Sequence, residues 1–119
     1  METIKMTEIA VKALDRKKAS DLSVIRIDDI STLADYFVIA SASSSTQLKA
    51  LADEVEYELE QQGVNCHHRE GMQSAEWILL DYGDIIVHVF IKDSRAFYNL
   101  DKMWSDGEEI DISEWTKPE

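Results

Sequence analysis

The chain has 119 residues, of which 45% are apolar and 30% charged, the size and balance of a single globular domain able to build its own core. Its 24 acidic and 12 basic side chains leave a net charge of -12, which opposes direct phosphate or anionic-lipid binding as the main activity and suits a basic partner surface. No apolar run approaches bilayer length, the start carries no secretory pattern, and the single cysteine, Cys66, cannot form an internal disulfide, so the expected location is a reducing cytoplasm.

Residues 3 to 19 are expected to form a helix. Met6, Ile9, Ala10, Ala13 and Leu14 make one apolar stripe, and Arg16, Lys17 and Lys18 suit the negative end of the helix dipole. Leu22 to Asp28 alternates around Ile25 and Ile27 and predicts a strand. After a connection from Asp29 to Ala34, Asp35 to Ser41 is almost continuously apolar, as in a central strand covered on both faces. Ser44 followed by Gln47 is a capping-box pattern opening a second helix, with Leu48, Leu51, Ala52, Val55 and Leu59 on its stripe. Gly63 stands at its expected C-terminal cap.

Val64 to Arg69 predicts a short strand and Glu70-Gly71 a turn. Trp77 to Asp81 and Asp84 to Ile91 predict a hairpin closed at Tyr82-Gly83, and Ala96 to Trp104 a short helix. The expected fold is a single-domain α/β structure of order α-β-β-α-β-β-β, a mixed five-stranded sheet packed with helices. The expected domain spans residues 1–105. Residues 106–119 read as an acidic, loosely held tail in which Ile110, Ile112 and Trp115 are able to dock.

A turn at Tyr82-Gly83 would set Asp81 opposite Asp84, Leu79 opposite Ile86 and Trp77 opposite His88. Alternation then divides the hairpin into two faces. One holds Ile78, Leu80, Ile85, Val87, Val89 and Ile91 and reads as core. The other holds Trp77, Leu79, Asp81, Asp84, Ile86, His88 and Phe90. Carboxylates and a histidine do not suit a core, and Trp, Leu, Ile and Phe do not suit a solvated surface. The mixture fits a binding surface with aromatic anchors and a charged edge. The alternative is a half-covered sheet face beneath the acidic tail.

No catalytic site assembles from the sequence, and no metal or cofactor is expected. On a strand, Cys66 and His68 share a face while His67 points away, so this run cannot supply three ligands to one ion. Asp81 and Asp84 form a carboxylate pair without a phosphate cradle, which favours turn chemistry and a negative rim. Ser43, Ser44 and Ser45 precede a helix without a P-loop or nucleophile-elbow pattern, so capping is favoured.

The run Asp35-Tyr36-Phe37-Val38-Ile39-Ala40-Ser41, continued by Leu48 to Val55, resembles the first hallmark of the Iojap-like ribosomal silencing factor family. Glu70-Gly71 followed by Trp77 to Phe90 resembles the second, closed by Arg95, Phe97-Tyr98, Leu100 and Trp104. The resemblance covers residues 3 to 105, with Ala42 where the family commonly has glycine.

It implies a nucleotidyltransferase-like fold without that activity. It also implies a translational repressor that binds the large ribosomal subunit through its basic protein number fourteen. The bound factor would sterically block joining of the small subunit when nutrients are scarce. Nucleic acid is not expected as the main contact, nor a membrane, and a homodimer in the free state is left open. Face alternation, not the resemblance, makes Trp77, Leu79, His88 and Phe90 the candidate anchors for the ribosomal contact. Asp81 and Asp84 would meet basic residues, with Tyr98, Leu100 and Trp104 extending the patch. The competing reading is a nucleotidyltransferase-like enzyme with a degenerate site.

Overall fold

The computed structural model describes residues 2–71, 73, 76–92 and 106–116. In chain order the elements are α1 (Thr3–Arg16), β1 (Ser20–Arg26), β2 (Tyr36–Ala42), α2 (Ser45–Gln61), β3 (His68–Glu70), β4 (Trp77–Asp81), β5 (Ile85–Ile91) and β6 (Glu108–Glu109). The strands form one six-stranded mixed sheet in the order β3-β4-β5-β2-β1-β6. Strands β2 and β5 pair in parallel at the centre, and the other neighbours pair antiparallel.

Both helices pack on the same side of the sheet. Met6, Ala10, Val11 and Leu14 of α1 and Leu48, Leu51, Val55 and Leu59 of α2 join Val24, Val38, Ala40, Ile78, Leu80, Ile85, Val87 and Val89 in the main core. Arg16 ties the helices together at their exposed edge, its guanidinium lying 2.8 Å from Glu54 and 3.2 Å from Glu58. The opposite side carries a smaller cluster of Ile25, Ile27, Ala34, Phe37, Ile39, Ile86 and Phe90, with Trp77 and Leu79 packed against it.

Helix α1 ends three residues earlier than its charge pattern predicts. Lys18 adopts φ +66°, its N–H donates to the Asp15 carbonyl, and the Ala19 N–H donates to the Leu14 carbonyl. This is a Schellman ending with lysine where glycine is usual. The end of α2 has the same pattern at Gly63, as its sequence predicts. Ser44 caps α2 by accepting the Gln47 N–H at 3.1 Å. The Gln47 side-chain carbonyl accepts from Ser43, while its amide donates to the carbonyls of Lys17 and Lys18, joining the start of α2 to the end of α1.

Two expectations change. The sheet has six strands rather than five, because Glu108–Glu109 pair with Ile25 and Arg26 of β1. The stretch read as a loose tail continues along that edge, where the Ile110 N–H donates to the Val24 carbonyl at 2.8 Å. Ile110, Ile112 and Trp115 then pack against the main core. The short helix expected from Ala96 to Trp104 lies outside the described residues.

Candidate partner-binding face

The hairpin register differs from expectation by two residues. Trp77 pairs with Phe90, Leu79 with His88 and Asp81 with Ile86. The Tyr82 N–H donates to the Ile85 carbonyl at 3.0 Å, so Gly83-Asp84 forms the turn rather than Tyr82-Gly83. Asp81 therefore does not face Asp84. Its carboxylate instead accepts the Gly83 N–H at 2.8 Å and braces the turn. Asp84 is exposed at the tip, and its backbone carbonyl accepts from the N–H groups of Asp35 and Tyr36, which fastens the hairpin to the start of β2.

A shift of two preserves side-chain parity, so the strand residues keep their expected faces, while Asp84 leaves the mixed face for the turn. Ile78, Leu80, Ile85, Val87 and Val89 lie sealed beneath the helices. Trp77, Leu79, Asp81, Ile86, His88 and Phe90 share the other side.

On that side the aromatic groups form a stacked unit. Trp77 stacks on Phe90 with centroids 5.1 Å apart, and Phe37 meets His88 edge-on at 4.7 Å. The Trp77 indole N–H donates to His88 Nδ1 at 3.2 Å. Nδ1 is thus an acceptor, and the neutral imidazole carries its proton on Nε2. Nε2 is buried with no hydrogen-bond partner among the described residues. Burial pushes the His88 pKa down to about 4.

Depth separates the sequence candidates. His88 is 4% exposed and Phe90 is fully buried. Both therefore lie beneath the surface of this side of the sheet rather than at it. The physical reason is that Phe37 of β2 closes on His88 and Trp77 lies over Phe90. Trp77, Leu79 and Asp81 stay half-buried, and Asp84 is exposed. Tyr98, Leu100 and Trp104 lie outside the described residues. The close approach of Gly71 fixes the position of Trp77: a Cβ at Gly71 would collide with the Trp77 carbonyl.

The sequence pattern marks residues 29 to 34 only as a connection, yet Ile30 and Leu33 there are exposed large apolar residues. Two such residues in an otherwise polar loop were the available signal.

The other chemical candidates have structural roles. The Cys66 thiol lies 3.2 Å from the His68 carbonyl, and burial raises its pKa, which disfavours the reactive thiolate. No group of three or more His, Cys, Asp or Glu that could hold a metal ion occurs among the described residues. Ser44 serves as the helix cap.

The fold defines a small acidic domain with a six-stranded mixed sheet and both helices on one side. The family described as ribosomal silencing factor during starvation matches residues 1–119. The Ribosomal silencing factor RsfS of Bacillus subtilis is 40% identical over 105 residues, covering 88% of this chain and 89% of its own. The factor of the same name from Halalkalibacterium halodurans is 38% identical over 112 residues, covering 94% and 96%. A crystal structure of a Chromobacterium violaceum protein superposes with a TM-score of 0.86 at 31% identity, covering 95% of this chain and 93% of that one.

The chain belongs to the ribosomal silencing factor family. Membership places it among ribosome-associated silencing factors of translation.

Proposed function

We propose that the protein binds the large ribosomal subunit in the cytoplasm through the subunit's basic protein number fourteen and blocks small-subunit joining by steric exclusion, without catalysis. Half-buried Trp77 and Leu79 would supply the apolar contact and Asp81 and Asp84 the acidic edge. Tyr98, Leu100 and Trp104 are proposed to extend it. Contacts would therefore come from the domain at residues 1–105, with residues 106–119 as an acidic tail whose edge strand completes the sheet. The observation that carries this reading is an aromatic-aliphatic sheet face bordered by carboxylates on a chain of net charge -12. Family membership supports it, as does a Mus musculus relative named Mitochondrial assembly of ribosomal large subunit protein 1, 28% identical over 122 residues. This chain matches 52% of that relative's length.

Sucrose-gradient sedimentation tests the mechanism. The protein should travel with free large subunits and be missing from assembled ribosomes. Equal abundance in both peaks would contradict steric exclusion.

A further inference from the structure

The geometry points to the β1–β2 loop, through Ile30 and Leu33, as a second docking contact for a basic protein surface, at the Asp84 end of the sheet. The inference rests on the proposed function and adds a contact that neither the hairpin nor the family motifs supplied.

Leu33 is 63% exposed and Ile30 is 44% exposed, two of the four exposed large apolar side chains among the described residues. They project from a loop whose backbone is held. The Ile30 and Ser31 N–H groups donate to the Ile27 carbonyl at 3.0 and 2.9 Å, and the Leu33 N–H donates to Ser31 Oγ at 3.1 Å. The Asp35 N–H closes the loop on the Asp84 carbonyl at 2.8 Å. An apolar contact presented on an ordered backbone loses less entropy on binding than one on a free loop. Ala34, next to Leu33, is buried in the cluster against which Trp77 and Leu79 pack, and the loop meets the sheet at its Asp84 end.

Charge identifies the occupant. Asp28, Asp29 and Asp84 are exposed around this end of the sheet. Arg26, the nearby cation, is already held by Asp28 at 2.8 Å and by Glu108 at 3.5 Å. A second copy would bring another net charge of -12 to an acidic rim. Residues 110, 112 and 115 pack against the main core on the opposite side of the sheet from the Ala34 cluster. The chemistry that fits is a basic protein surface able to cover two apolar side chains, in keeping with the basic ribosomal partner already proposed.

The test uses the full chain and purified large subunits. Ile30→Ser combined with Leu33→Ser should leave the urea midpoint unchanged and weaken binding about tenfold, within the range for truncating paired interface contacts. Leu33→Lys should bind more weakly than Leu33→Glu, with the gap narrowing at high salt. Trp77→Ala is measured in parallel. If Trp77→Ala loses binding while the double variant binds like the unmodified protein, the loop is no contact and the proposed function stands. If Leu33→Lys binds as well as Leu33→Glu, the occupant is not basic and the inference fails. If Leu33→Ser dissociates a dimer of the free protein and leaves subunit binding intact, the occupant is a second copy and the inference also fails. If the unmodified protein does not bind large subunits, the proposed function fails and the loop contact falls with it.

Discussion

Ile78 and Trp77 are neighbours on β4, yet Ile78 lies fully buried beneath the helices while Trp77 stays half-exposed on the opposite side. The side facing the helices is aliphatic along both strands of the hairpin, with Tyr82 buried beside the turn. The other is layered, with Phe37, His88 and Phe90 underneath and Trp77 and Leu79 above them. One strand pair thus serves two purposes because its side chains alternate. Aliphatic packing under the helices stabilises the fold, and the aromatic layer holds an indole at the surface in a fixed orientation.

The largest effect expected from this division is on stability. Ile78→Ala removes a fully buried side chain and should cost about 2–5 kcal/mol in a urea melt. A loss much below that range would mean that the helix-covered side is not the main source of stability.

The second effect concerns pH. His88 is neutral in the fold with a pKa of about 4, against an ordinary value of 6.5. The unfolded chain therefore takes up the proton first. Stability from this residue is complete above pH 6.5 and falls as the pH drops toward 4, by about 3 kcal/mol in total. Urea midpoints measured across this window should fall more steeply for the unmodified protein than for His88→Gln, the carboxylates being common to both. Parallel curves would show that His88 is not buried in its neutral form.

The smallest effect separates the two carboxylates. Asp81→Asn weakens the bond to the Gly83 N–H and should lower stability by about 1 kcal/mol, a typical net value for one hydrogen bond. Asp84→Asn alters only an exposed rim charge and should leave stability unchanged. It should flatten the salt dependence of subunit binding, at a cost of about 0.2–1 kcal/mol in affinity. A salt response unchanged in Asp84→Asn would place the electrostatic contact elsewhere on the acidic surface.

Much of this comparison was legible in the sequence because strand periodicity is robust. The pattern predicts the turn one residue early, since Tyr82-Gly83 and Gly83-Asp84 are both plausible two-residue turns. The pairing differs by two and no strand residue changes face, whereas a shift of one would exchange the faces. The depth of His88 and Phe90 was not legible, because it depends on Phe37 and on Trp77 folding back over Phe90. The end of α1 was missed because Lys18 carries no glycine signal for its left-handed conformation. The sixth strand was missed because a two-residue acidic pairing leaves no alternating pattern; only Ile110, Ile112 and Trp115 hinted at docking.

The most direct test of the central claim is to measure Trp77→Ala and Ile78→Ala side by side, with urea melts and large-subunit binding for each. Trp77→Ala should lose about 2 kcal/mol or more of binding, as a truncated aromatic anchor does. Its loss of stability should stay below the roughly 3–5 kcal/mol of a core aromatic. Ile78→Ala should show the reverse, a large stability loss with near-normal binding by the molecules that remain folded. A well-folded Trp77→Ala protein that binds normally would contradict the proposed contact face, and a Trp77→Ala protein less stable than Ile78→Ala would contradict the division of the hairpin itself.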